Sequence, residues 1–491
     1  MPQGSARSAE RLSARDALLR RWTQPEHFGA EMLGRSLRPY QLPIACAIVD
    51  SVLQGRGLTL GVMMPRQSGK NEIAAHVEAL LLHAFRRVGG CLVKAAPTYR
   101  PQALISRARL EALLGGKAWA PLVREAGAGL SLGRARALFL SAAPGANVVG
   151  ATANILLEAD EAQDIDEDKW NKAFTPMGAS ANVTTVLWGT AWTRETLLAR
   201  TIRRLREAEA RDGVRRVYTV SWQEVAAQVP AYGRYVRGEM ARLGADHPLI
   251  VTQYGLQELS SAGGMFSAAT QALMRGTHAR QQAPTPGCAY ALLVDVGGGA
   301  EERLPDALLR AEQPRRDSTA LTVVEVGRDD LGWSTYRVVD RCLWTGWPQH
   351  ALYGAIVALA ERWSAGQVVV DATGLGAGLA SFLGRTLGAR VRPFTFTSVS
   401  KSDLGWRYLG LCNAGRFRDH LDDGSAEQRQ FWREVAAADL QVLPGPGKLL
   451  RWGVADPTVH DDLLVSAALC ATLEDEGGAA YAGSHVVEAE E

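Results

Sequence analysis

The sequence predicts an α/β chain of two successive domains. Three observations carry this. Strand-like and helix-like segments alternate in two blocks, a Gly, Ser and Pro-rich stretch containing "SSAGG" and "QQAPTPG" lies between them, and 491 residues exceed one ordinary core. The expected boundaries are a first domain over 1–259, with a small lid subdomain at about 195–259, a linker over 260–287, a second domain over 288–474 and an acidic tail over 475–491. The tail is rich in Gly and Ala and is expected to be disordered.

Composition narrows the class. The chain is 47% hydrophobic and 22% charged, as in soluble globular proteins. There is no unbroken apolar run of about 18 residues, and the arginine-rich start has no apolar segment after it, so neither a membrane span nor a secretory signal is expected. Six scattered cysteines, without a C-x-x-C pair or zinc-spaced histidines, point to a reducing cytoplasm. A net charge of +2 leaves any nucleic-acid surface to local patches. The run Arg200 to Arg216 mixes Arg with Glu and reads first as a solvated helix face.

In the first block "GLTLGVMM" reads as a buried strand, and Ile73, Val77, Leu80, Leu81, Ala84 and Val88 then recur at helical spacing. "PRQSGKN" therefore sits at a strand-to-helix turn, where free N–H groups and the positive helix end can hold polyphosphate. Arg66, Gln67, Ser68, Gly69, Lys70 and Asn71 are the candidate contacts, with Lys70 reaching the β- and γ-phosphates. Met64 replaces the first glycine of the usual pattern and Asn71 its magnesium-binding hydroxyl; an ordinary glycine turn with a surface lysine is the plain alternative. Downstream, "ANILLEADEAQDI" is an apolar strand ending in Asp160 and Glu161, which suits water-mediated magnesium binding and polarisation of an attacking water, respectively. Gln41 in "LRPYQ" could read an adenine edge, and Thr190, ending the strand "TTVLWGTAW", could sense the γ-phosphate.

The second block supplies a different pattern. "AYALLVDVGGG" delivers Asp295 into a glycine turn, "STALTVVEVG" and "STYRVVDRCLW" extend a meander, and a helix follows at about His350 to Ser364. "QVVVDATGLGAG" delivers Asp371 into a second glycine turn and helix, and "HDDLLVSAALCATL" is a late helix with Asp461 and Asp462 in its first turn. This is the element order of a ribonuclease-H-like fold. Its first and fourth strand ends lie side by side, so Asp295, Asp371 and Asp461 or Asp462 would converge. Such carboxylates repel one another unless divalent metal neutralises them, and a metal pair can cut a phosphodiester.

"PRQSGKN", "AAPTYRPQ", "LLEADEAQ", "WGTAW" and "HDDLLVSAAL", in that order, resemble the large terminase subunits of tailed double-stranded DNA bacteriophages. The resemblance spans about Leu37 to Leu473. It implies an N-terminal P-loop (ASCE-type) ATPase domain with ATP and Mg2+, in which Arg66 belongs to a degenerate loop, Gln41 to the adenine-reading motif and Thr190 to the coupling motif. Arg100, Arg134 and Arg136 are candidates for the arginine finger. It further implies a C-terminal ribonuclease-H-like nuclease domain using Mg2+ or Mn2+, with Asp317 as an accessory acid. Implied partners are double-stranded DNA, the capsid portal protein, a small terminase subunit and further copies in a ring on the portal, with a monomer in solution allowed and no membrane. The implied location is the bacterial host cytoplasm at the procapsid. The rival readings are a helicase or repair translocase with an attached nuclease, and a decayed structural or adaptor protein.

Overall fold

Short apolar runs alternating with amphipathic segments cannot pair as hairpins; they fold as parallel strands with helical crossovers, buried on both faces. The computed structural model describes residues 21–115, 120–148, 150–259, 263–297, 318–443, 449–456 and 459–474. Contacts divide the chain into two units, residues 1–237 with 251–260, and residues 238–250 with 261–491. No helix among the described residues is long and apolar enough to cross a membrane.

The first unit contains β1 (Thr59–Met63), β2 (Gly90–Ala96), β3 (Val123–Ala126), β4 (Gly129–Leu132), β5 (Ala135–Ser141), β6 (Leu156–Ala159), β7 (Thr184–Gly189) and β8 (Val217–Thr219). They form one sheet in the order β3-β4-β5-β2-β6-β7-β1-β8. From β5 to β8 every neighbouring pair is parallel, while β3 and β4 extend the edge antiparallel. β7 is inserted between β1 and β6, the arrangement of the ASCE class. The helix Lys70–Phe85 is buried along nearly its whole length, with Ile73, Val77, Leu80 and Leu81 at most 1% exposed.

The helix Leu197–Asp212 shows how the basic run is used. Leu198, Ile202 and Leu205 face the core. On its outer side Arg200 pairs with Glu167 and Glu195 at 2.8 and 2.7 Å, and Arg203 with Glu258 at 3.5 Å. These arginines form a solvated, internally paired face. Beyond it the chain continues as β8 and the helices Trp222–Gln228, Pro230–Leu243 and Pro248–Gln253.

The second unit contains β9 (Gly263–Gly264), β10 (Ala289–Asp295), β11 (Ser318–Arg328), β12 (Ser334–Thr345), β13 (Gln367–Asp371), β14 (Val391–Phe394), β15 (Phe417–Arg418), β16 (Ala438–Val442) and β17 (Leu450–Val454). Its main sheet runs β14-β13-β10-β11-β12-β15, and a small one β17-β16-β9. β10, β11 and β12 are the antiparallel meander; β13 lies parallel to β10 on its other side. Within the stretch read as a linker, β9 pairs with β16 and a helix, Ala268–Met274, is capped by Ser267. The core gathers Leu292, Val294, Leu321, Val323, Ile356, Trp363, Val368 and Leu383.

A fully buried ion pair ties β12 to the chain after β15. Arg341 Nη1 lies 2.8 Å from Asp419 Oδ1, both side chains at 0% exposure, and the guanidinium sits 3.9 Å from the centre of the Phe431 ring. Asp419 Oδ2 accepts from Trp432 Nε1 at 2.9 Å. Breaking such a pair from one side strands a buried charge. Asp419→Ala is expected to cost about 3–5 kcal/mol, measured by denaturant unfolding followed through Trp fluorescence, whereas an apolar replacement of both partners costs less.

Candidate functional site

The turn from β1 into the helix Lys70–Phe85 carries the glycine-lysine pair. Gly69 has φ +92°, and a Cβ there would fall 2.5 Å from Gln41 Nε2, so both backbone and space require glycine. Met64 is buried at 0% and its N–H donates to Gly189 O at 3.0 Å. The side chain standing in place of the first glycine is thus part of the core. The loop is held from behind: Tyr40 Oη donates to Ser68 O at 2.9 Å, Ser68 Oγ to Pro65 O at 2.6 Å, and Tyr232 Oη to Arg66 O at 3.0 Å. Lys70 Nζ stands 3.6 Å from Glu161 Oε1 and 3.5 Å from Met64 O. Arg66 and Gln67 are exposed, and Asn71 is the second residue of the helix.

Because β6 and β1 are parallel members of one sheet, the acids after β6 emerge at the same edge as this loop. Asp160 is 3% exposed; its Oδ2 accepts from Ser106 Oγ at 2.9 Å and its Oδ1 from the Glu161 N–H at 3.1 Å. Glu161 adopts φ +47°. Gln163, not singled out in the sequence, bridges two candidates: its Nε2 donates to Glu161 Oε2 at 2.6 Å and its Oε1 accepts from the Thr190 N–H at 3.2 Å. Gln41 is placed against the loop, not in an open pocket. Its Oε1 accepts from the Arg38 N–H at 2.9 Å and its Nε2 donates to Gly69 O at 3.4 Å, so both ends of the amide are engaged.

Topology separates the arginines. Arg100 follows the C-terminal end of β2, at the loop's edge, while Arg134 precedes β5 and Arg136 pairs opposite Cys91 near the start of β2, at the opposite edge. A cavity of about 610 Å³ lined by Val148, Asp166, Lys169, Lys172, Pro176 and Met177 lies elsewhere on this unit, and none of the loop residues lines it. Three buried charges also escaped the sequence reading: Glu78, Lys94 and Glu158. Each interrupts an apolar run, "HVEALLL", "CLVKAA" and "NILLEAD", and that interruption was the available signal.

In the second unit the parallel register of β10 and β13 pairs Val294 with Val370, which sets Asp295 and Asp371 next to each other at the strand ends. The helix Asp462–Ala468 is fastened behind them: Ser466 Oγ donates to Leu293 O at 2.8 Å. Burial pushes the Asp295 carboxyl well above the ordinary range; the charges of Asp462, then Asp371, then Asp461 push it further, and Lys401 opposes them. Burial also raises Asp371, against a 2.8 Å hydrogen bond from the Thr373 N–H. The charge of Asp462 thus presses harder on Asp295 than that of Asp461. A Cβ on Gly453, which has φ +139°, would fall 2.7 Å from Asp461 Oδ2.

Glu434, unnoticed in the sequence, is buried behind these acids and accepts from the Leu464 N–H at 2.8 Å. Its carboxyl is pushed up to about 8 by burial first, with Asp462 and Asp461 adding to the rise. The acids are close enough to repel, although no three among the described residues already stand at ligating geometry. An all-oxygen set of this kind fits a hard divalent cation. Asp317 lies outside the described residues, as do residues 298–316 and 475–491.

Fold and geometry together define a chain that joins a unit of P-loop (ASCE-type) fold to a unit of ribonuclease-H-like fold. No family model and no curated protein matches the sequence. Among solved structures, a large terminase from a thermophilic bacteriophage is similar over 89% of this chain and 99% of its own, at 11% identity and a TM-score of 0.51. The HK97 bacteriophage large terminase aligns over 92% of this chain and 99% of its own, at 14% identity and a TM-score of 0.40. The cobalt-bound large terminase nuclease of thermophilic phage G20c aligns over 43% of this chain and 96% of its own, at 16% identity and a TM-score of 0.32. On the first of these, the fold of this chain is that of a large terminase.

The raised carboxyls set a pH dependence. A group whose folded pKa exceeds its unfolded value contributes stability that is full below the unfolded pKa and is lost as pH rises through the folded one. Metal-free protein is therefore expected to lose thermal stability from about pH 4 toward about pH 8. Mn2+ should restore it most at the upper end. Asp295→Asn should raise the metal-free Tm at the upper end by a few degrees and abolish the Mn2+ response, both read by thermal unfolding across pH.

Proposed function

We propose that the chain is a large terminase subunit, an ATP-driven translocase of viral double-stranded DNA with a metal-dependent endonuclease that cuts concatemers. The observation that carries this reading is the pairing, in one chain with that fold, of a glycine-lysine loop facing Asp160 and Glu161 with an acid cluster at adjacent parallel strand ends.

In the first unit Lys70 and the N-terminus of its helix would bind the phosphates, and Asp160 and Asn71 would hold the accompanying magnesium. Glu161 polarises the attacking water, and Arg100 is the arginine at the nucleotide edge. Lys70 Nζ lies 3.6 Å from Glu161 Oε1, so a phosphate held by the lysine would compete with this pairing for it. Gln163 then passes a shift of Glu161 to Thr190 and β7. In the second unit Asp295, Asp371 and Asp462 would hold divalent metal, with Asp461 alongside and Asp317 as the accessory acid. Metal bound there supplies an activated water and neutralises charge on the leaving oxygen. DNA is held through its phosphates, so binding weakens as salt rises. The capsid portal, a small terminase subunit and a ring of copies are the partners, at the procapsid in the host cytoplasm.

The test is cleavage of supercoiled plasmid with Mg2+ or Mn2+, in parallel with ATP turnover. Wild type is expected to cut and to hydrolyse ATP. Asp371→Ala should lose cutting by at least about a hundredfold and retain turnover, and Lys70→Ala the reverse. Cutting by Asp371→Ala at the wild-type rate would remove the nuclease assignment. Absence of both activities from wild type would favour an adaptor role.

A further inference from the structure

Behind the nucleotide edge lies a cluster of charges that the reading above does not use. Lys94 projects from the middle of β2 with 2% exposure, and its Nζ is 3.1 Å from Glu78 Oε1 on the helix begun by Lys70. The same Nζ is 4.0 Å from Asp160 Oδ2. Glu158 stands opposite Lys94 in the β2–β6 register, and its Oε1 accepts from Trp188 Nε1 on β7 at 2.8 Å. One ammonium thus touches the loop helix and the acid, and through Glu158 the cluster reaches β7, the strand that leads into Thr190.

A buried ammonium among carboxylates is unusual because each charge must be compensated inside the protein. Burial works against the charge of Lys94, but Glu78, then Asp160 and Glu158 outweigh it and hold the ammonium above its ordinary value. Burial and the Glu78 charge push the Glu158 carboxyl well above the ordinary range. Glu78 Oε2 and Glu158 Oε2 are buried in the same cluster.

We propose that Lys94 is a positioning residue of the nucleotide site: it fixes the Asp160 carboxylate and, through Glu78, ties it to the helix that starts at Lys70, so that loop and acid keep one spacing. Ser106 is the second prong, from the helix Leu104–Leu114. The inference rests on the reading of Asp160 as the acid facing magnesium-ATP. A lysine serving only to neutralise Glu78 would have no bearing on magnesium.

The test separates these roles by measuring affinity for a fluorescent ATP analogue with and without Mg2+, alongside the Mg2+ dependence of turnover. The variants are Glu78→Gln with Lys94→Met, which removes both charges together, and Ser106→Ala, which leaves the buried charges intact. The double variant is expected to keep its Mg2+-free affinity, to lose about tenfold of the gain in affinity that Mg2+ gives wild type, and to need more Mg2+ for half-maximal turnover. Ser106→Ala should lose a smaller part of the same gain, and decides the matter if the double variant does not fold. An unchanged Mg2+ gain in the folded double variant, or in Ser106→Ala when only that variant folds, overturns the proposal. Lys70→Ala identifies the other failure: if it binds the analogue as wild type does, the nucleotide reading itself falls, and the proposal with it.

Discussion

Parallel pairing is the constraint on which both units depend. Two parallel neighbours end at the same edge of a sheet, so residues that follow them meet without any long-range instruction from the sequence. In the first unit this brings the turn after β1 to the acids after β6, with β7 between them. In the second it sets Asp295 beside Asp371. An antiparallel partner would have sent one acid of each pair to the far edge. The meander β10-β11-β12 can be antiparallel because neither β11 nor β12 carries Asp295, Asp371, Asp461 or Asp462.

The two edges handle buried negative charge differently. In the first unit the acids have a resident cation, Lys94, and serine and backbone donors, so Asp160 is held in place before any ligand arrives. In the second, Asp295 is pressed by three other aspartates and only Lys401 opposes them among the groups acting on it. Repulsion among these carboxylates is what a divalent cation would relieve.

Much of this architecture was legible in the sequence because the informative residues sit at element boundaries. The loop, Asp160, Asp295 and Asp371 each end an apolar run, and a strand followed by a glycine turn leaves few alternatives. The late helix was read over His460 to Leu473 with both acids in its first turn; it runs Asp462–Ala468 with Asp461 as the residue before it, and its end becomes 3₁₀ at Leu469–Leu473. What could not be read was pairing in the interior. Lys94 and Glu158 looked like interruptions of strands, and only the β2–β6 register sets them opposite each other. The bridge by Gln163 depends on β7 lying beside β6, and the engagement of Gln41 with Gly69 O on a backbone turn. Likewise the burial of Met64 explains a departure from the loop pattern that no periodicity would have resolved.

On the proposed function, one chain carries two chemically separate sites, one for nucleotide with its magnesium and one for divalent metal alone. Anomalous diffraction from crystals grown with Mn2+ and a non-hydrolysable ATP analogue addresses both at once. Mn2+ is expected between Asp295, Asp371 and Asp462, and a separate Mn2+ beside the analogue's phosphates at Lys70 and Asp160. Mn2+ absent from the Asp295 edge while bound elsewhere, or an analogue seated away from the glycine-lysine loop, would contradict it.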